Sequence, residues 1–222
     1  MQFRADKRFS SGYTLQGTYT WAKTMEANGF LNEMDANPYY QIADYDVAHR
    51  ISISGIYELP FGKGRAFAAN APRWAELIIG GWQVQAIWSW QTGTPMSWGN
   101  IINYGDFKDV PLRSGERTID RYFDTSNFEK STAKALSYNL RTLPNRFSGL
   151  RNPGMNNWDM SVLKNTKLTE KVNIQIRAET LNTLNHPMFN GPNTDPYNTA
   201  FGTITSSRGY ARRAQVGLKA IW

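Results

Sequence analysis

Apolar and polar positions alternate with a period of two along most of the chain. In Tyr13–Trp21 the odd positions Tyr13, Leu15, Tyr19 and Trp21 are apolar or aromatic, and the even ones are Thr14, Gln16, Thr18 and Thr20. His49–Leu59 sets Ile51, Ile53, Tyr57 and Leu59 against Ser52, Ser54 and Glu58, with Ile56 as the exception. Trp82, Val84, Ala86, Trp88 and Trp90 alternate with Gln83, Gln85, Ile87, Ser89 and Gln91. The same period runs through Trp158–Val162, Val172–Glu179 and Ala214–Trp222, and residues 1–7 read as the tail of one more segment. Successive strand side chains point to opposite faces, so this pattern predicts about seven two-faced strands. Most are long enough to cross a bilayer at the usual tilt, which takes roughly 9–11 residues.

The connections alternate too. Short turns fall at Arg8–Gly12, Pro60–Gly64 and Leu168–Lys171; long ones fall at Thr24–Ala48, Met96–Asn157 and Asn185–Arg213. Ala66–Gly81 breaks the pattern, and its "APRWAELIIGG" predicts a short helical or irregular insert at the short-turn end. Compact soluble domains seldom carry structureless loops longer than about 15 residues. Outer-membrane barrels pair short periplasmic turns with long extracellular loops as a rule. Trp82 and Trp90 lie about 19 Å apart along a barrel axis at roughly 3.3 Å per residue and 45° tilt, close to the roughly 25 Å apolar band between two aromatic girdles. The expected fold is therefore all-β: an antiparallel transmembrane β-barrel segment occupying 1–222 as one domain. A soluble β-sandwich produces the same alternation with its apolar face as core, so a soluble all-β carbohydrate-binding or adhesion module is the alternative.

Composition narrows the function. The chain is 41% hydrophobic and 14% aromatic, with 8 Trp and 11 Tyr; amphipathic rings of this kind collect at membrane–water boundaries. The net charge of +7 is scattered, and its densest group is Arg208, Arg212 and Arg213, so no stripe for nucleic acid stands out. With no cysteine, disulfide and thiol chemistry are excluded. Residues 1–7 alternate like a strand and lack the apolar core of a signal peptide.

Several motifs support a more specific reading. "RNPG" at Arg151–Gly154, "WDMSVLKN" at Trp158–Asn165, "RAETLNTLNHPMF" at Arg177–Phe189 and "FGTIT" at Phe201–Thr205 resemble the C-terminal end of TonB-dependent outer-membrane receptors. The nearest subgroup is the Oar-like one, whose members carry a carboxypeptidase-regulatory-like domain. "LPFGKGR" at Leu59–Arg65 and "GWQVQAIWSWQTGTPMS" at Gly81–Ser97 resemble that family's upstream hairpins. The resemblance implies a 22-stranded barrel, a plug domain that this sequence lacks, and energised uptake of a large nutrient across the outer membrane. It implies as partners the outer-membrane lipid and lipopolysaccharide, the barrel-assembly machinery, and TonB through the missing N-terminal part. The spacing Gln215–Gly217–Ala220–Trp222 resembles the C-terminal signal that the assembly machinery reads.

Candidate chemistry is sparse. His49 and His186 have no zinc spacing, "GKGR" at Gly62–Arg65 lacks the phosphate-loop pattern, and Asp35, Asp44 and Asp46 are not at calcium-loop spacing. No catalytic set, cofactor or metal is expected. The polar-face charges Asp159, Arg177 and Glu179 are expected to pair or network across the hairpin turned by "LTEK", as barrel wall or plug contact. Ligand contact, if loops supply it, is expected from the exposed-type aromatics Tyr39, Tyr40, Trp98, Tyr104 and Phe107 with Arg113, Arg117 and Arg121.

Overall fold

The computed structural model describes residues 1–135 and 139–222. Its framework is seven long strands: β1 (Gln2–Ser10), β2 (Tyr13–Trp21), β3 (His49–Glu58), β4 (Trp82–Gln91), β5 (Met155–Lys167), β6 (Asn173–Leu181) and β7 (Arg213–Ile221). They form one sheet in chain order, each antiparallel to the next. This is the meander that the alternation predicts.

Register converts the period of two into rows across the sheet. On the apolar face Tyr13, Tyr57, Val84 and Val162 lie side by side, and one rank of pairs away lie Leu15, Gly55, Ala86 and Met160. On the polar face Thr14, Ile56, Gln85, Ser161, Glu179 and Gln215 form a continuous row across six strands. Aromatics gather at both ends of the apolar face. Tyr19, Trp21, Trp88, Trp90 and Trp158 sit near the long connections, and Tyr13, Tyr57 and Trp82 sit near the short turns, with Trp222 just past β7. Phe3 stacks on Tyr19 with centroids 6.2 Å apart, and Trp88 on Trp158 at 5.7 Å. Aliphatics such as Leu15, Ile53, Val84 and Val162 fill the band between. Two aromatic girdles around an aliphatic band is the pattern of a barrel wall in a bilayer.

Strand β5 is longer than the alternation of Trp158–Val162 indicates. Its ladder continues through Gln91 opposite Met155 at one end and Thr166 opposite Ile174 at the other, beyond the apolar band where alternation is visible. The connection before it, expected over Met96–Asn157, accordingly ends earlier and holds a strand pair of its own, Pro95–Ser97 with Arg146–Arg151.

The short-turn end is tightly built. Ser11 and Gly12, with φ of 54° and 83°, make a two-residue hairpin loop of the doubly left-handed kind whose twist suits flanking strands. The expected insert contains helix α1 (Arg73–Ile79), opened by Pro72 and stopped at Gly80. Arg73 donates to the Leu168 carbonyl at 2.7 Å and the Glu76 carboxylate accepts from the Lys63 amide, so α1 ties the two other turns together.

Two glycines at this end separate conformational from steric cost. Gly12 and Gly81 both have positive φ, but a Cβ on Gly81 would also collide with the Asn165 carbonyl, whereas on Gly12 it meets nothing closer than 3.6 Å. Gly12→Ala should destabilise by about 1 kcal/mol, the usual penalty of the left-handed conformation. Gly81→Ala should exceed it by a further ~1 kcal/mol or more, because backbone must shift. Denaturant unfolding in lipid vesicles checks the order.

Candidate functional site: the trough and its loop cap

The sheet curls into an open trough. Its concave face borders a cavity of about 920 Å³ to which all seven strands contribute, from Asp6 and Arg8 on β1 through Gln85 on β4 to Gln215 on β7. Edge strands β1 and β7 are exposed along their whole length, and no pairing joins them. The wall is polar with apolar interruptions at Ile56, Ile87 and Leu181.

Charges on this wall are placed by register. Arg177 stands opposite Leu163 and Glu179 opposite Ser161. Arg177 therefore pairs along its own strand, its Nη1 donating to Glu179 Oε1 at 3.1 Å, while the side-chain amide of Gln215 on β7 donates to the other Glu179 oxygen. Asp159 does not join them. It accepts from the Asn157 side chain at 3.0 Å and from the Asn182 amide at 2.8 Å, pinning the chain where it leaves β6. The expected network across the β5–β6 hairpin is thus replaced by one that runs along β6 and out to β7. Partly exposed pairs of this kind contribute about 1 kcal/mol at most.

The described parts of the three long connections, residues 22–48, 92–135 with 139–154, and 182–212, combine into a cap at the opposite end from α1. Its core is Met96, Trp98, Ile101, Val110, Phe123, Phe128 and Leu150, with Phe107, Phe147 and Phe201 packed against it. The rings interlock: Trp98 stacks on Phe128 at 5.5 Å and meets Phe123 edge-on at 5.1 Å, and Phe201 from the last connection meets Phe128 edge-on at 5.1 Å. Such pairs contribute about 0.5–1.5 kcal/mol each beyond area burial. Arginines tie the first connection to the second. Arg146 bridges to Glu26, and Arg151 bridges to the fully buried Asp46 carboxylate at 2.6 Å while donating to the Gly93 carbonyl at 3.0 Å. Backbone bonds Tyr122 to Gly202 and Ile204 to Ile119 attach the third. The described residues of these connections are packed structure, not slack loops.

Trp98 and Phe107 are consequently not exposed ligand-contacting aromatics. Trp98 is 3% exposed at the centre of the cap core, and Phe107 lies flat on Phe147 at 4.2 Å. Tyr39 is half-buried, and Tyr40 and Tyr104 are exposed. Arg117 lies over the Tyr122 ring at 5.5 Å and, with Trp90 and His186, lines a groove of about 590 Å³ at the rim. Arg113 closes a short turn with Glu116, and Arg121 faces Asp124 at 3.5 Å; neither lines that groove. Trp222 is 90% exposed beyond β7, and Gln215 and Gly217 stand opposite Glu179 and Arg177. Among the described residues no group of three or more His, Asp or Glu is placed to hold a metal ion.

Sequence reasoning missed the cap's ties, Arg146, Arg151 and Arg141, the last donating to the Trp98 carbonyl at 2.6 Å, and its buried acid, Glu129. The Glu129 carboxylate accepts from the Tyr104 hydroxyl at 2.6 Å, the Ser131 amide at 2.8 Å and the Lys134 ammonium at 3.0 Å. These donors hold its pKa down to about 2, and the same carboxylate pushes the Tyr104 hydroxyl up. Because the folded value is depressed, Glu129 stabilises the cap fully above the ordinary carboxylate range, and that stabilisation is lost as pH falls toward about 2. Near-ultraviolet circular dichroism, reporting Trp98 packing, should show an acid transition in this window. Glu129→Gln should remove that transition and lower cap stability at neutral pH.

Comparison with curated proteins and with solved structures returned no match. The family profile described as "Outer membrane beta barrel domain" matches residues 1–215, nearly the whole chain. That match turns the apolar face toward lipid and sets aside the soluble module. With its two-girdle apolar face, polar trough and one-ended cap, this chain belongs to the outer membrane β-barrel domain family and resides in the bacterial outer membrane.

Proposed function

We propose that this chain is the C-terminal wall of a TonB-dependent receptor, serving energised uptake of a large nutrient across the outer membrane. The observation that carries the reading is the trough itself: a largely polar-faced wall, interrupted at Ile56, Ile87 and Leu181, that reaches both free sheet edges. An open edge in hydrocarbon leaves backbone groups without partners, so the wall has to continue into further strands. A wider barrel built this way has a lumen that needs closing, which is the task of a plug domain. The motifs shared with such receptors, "RNPG", "WDMSVLKN" and "RAETLNTLNHPMF", point the same way.

In this reading the cap shapes the extracellular mouth and the rim groove at Arg117 meets the ligand. Arg177 and Glu179 hold the plug against the wall, with Asp159 holding the wall's own geometry. The role is binding and passage, not catalysis. TonB acts through the receptor's N-terminal part, lipopolysaccharide surrounds the outer rim, and the assembly machinery reads Gln215, Gly217, Ala220 and Trp222. The free edge of β7 and the exposed Trp222 support that last assignment.

Planar-bilayer conductance of the intact receptor tests the proposal. The wild type should be nearly silent, and Arg177→Ala should raise ion leak severalfold by loosening the plug. A constitutively open, porin-like wild type would contradict the receptor reading, and an unchanged leak in Arg177→Ala would remove the plug contact.

A further inference from the structure

The membrane-facing side of the sheet is not smooth. Where Gly55 on β3 stands opposite Ala86 on β4, the apolar surface drops into an almost wholly apolar groove of about 450 Å³. Tyr13, Tyr57 and Val84 wall it on the short-turn side; Ile53, Trp88 and Trp158 wall it on the side of the long connections. The floor follows one rank of the register, Leu15–Gly55–Ala86, and that rank begins at Lys7 on β1.

Lys7 is out of place on an apolar face. Its neighbours on that side of β1 are Phe3, Ala5 and Phe9, yet it makes no ion pair among the described residues. Instead its ammonium bends toward the short-turn end, donating to Ser10 Oγ at 2.6 Å and lying 4.9 Å from the Tyr13 ring centre. Tyr13 is also a wall of the groove. The result is a slot for a hydrocarbon chain with a cation beside its Tyr13 wall, toward the short-turn end where a snorkelling lysine reaches headgroups.

We propose that this groove is a site for a phosphate-bearing diacyl lipid, one acyl chain lying over Gly55 and Ala86 and the phosphate meeting Lys7. A lipid fits better than a second copy of the chain. The groove is a concavity between protruding rings on a surface that already faces acyl chains, and the cation beside its Tyr13 wall calls for an anion. The inference rests on family membership and the apolar face, and it is independent of which nutrient or plug the barrel serves.

Native mass spectrometry of the intact protein extracted from outer membranes, titrated with dioleoylphosphatidylglycerol or with dioleoylglycerol, tests the site. The phospholipid should be retained at one per chain, and dioleoylglycerol about fivefold less, since it lacks the phosphate that meets Lys7. Lys7→Gln should weaken retention about fivefold, the factor that ~1 kcal/mol per lysine near an anionic surface gives. Ala86→Leu fills the floor and should abolish retention. Lys7→Gln, which removes a charge without adding bulk to the groove floor, keeps the test decisive if Ala86→Leu fails to assemble. Equal retention by wild type and Lys7→Gln, equal retention of the phosphate-free lipid, or a protein dimer in place of bound lipid would each overturn the proposal.

Discussion

Inside a bilayer there is no water to satisfy a backbone amide, and each unpaired N–H or C=O in hydrocarbon costs several kcal/mol. The antiparallel ladder from β1 to β7 meets this constraint for every interior strand, and the rest of the molecule follows from how it does so. Because a strand's side chains alternate, a ladder in lipid has one face for acyl chains and one for water. The register keeps that division over the whole sheet, so Val84, Ala86 and Trp88 stay on one side of β4 while Gln83, Gln85 and Ser89 stay on the other. Slipping any strand by one residue would turn Gln and Arg toward lipid. The aromatic rows at each end hold the sheet at its depth.

The same constraint explains the division of labour between the two ends. At the short-turn end the chain reverses quickly, through the Ser11–Gly12 loop and the five residues after β5, or detours through α1, whose Arg73 and Glu76 bind neighbouring turns. At the other end about half the chain lies outside the ladder. Those segments cannot be solvated coils around an aromatic-rich sequence, and they bury Trp98, Phe123 and Phe128 in a core of their own. Arg146 and Arg151 then join segments more than a hundred residues apart in sequence. The cap thus carries a second hydrophobic core on the barrel rim.

This split governs what could be read from the sequence. Strands β2, β3, β4, β6 and β7 were visible because a two-faced strand in lipid writes a period of two directly into its residues. The insert around α1 was visible because "APRWAELIIGG" interrupts it. The ends of β5 were not, since Asn156, Asn157, Asn165 and Thr166 lie outside the apolar band and need not alternate. The cap was invisible for a different reason. Trp98, Phe107, Phe123, Phe128 and Phe201 meet without any sequence period, so residues that look like exposed loop aromatics turn out to be core. Likewise Asp159 and Arg177 share a face, but only the register reveals that they stand at different heights, leaving Arg177 to pair with Glu179.

Apolar rows face lipid and polar rows face water, and the absence of cysteine makes this division directly measurable. Single cysteines placed in turn from Gln83 to Ser89 on β4, in outer membranes, can be probed with a membrane-impermeant maleimide and, after spin labelling, by oxygen accessibility. Positions 83, 85 and 89 should react with the aqueous reagent, whereas 84, 86 and 88 should be shielded from it and show high oxygen accessibility. A reversed pattern, or no alternation between neighbouring positions, would rule out a wall with its apolar rows in lipid.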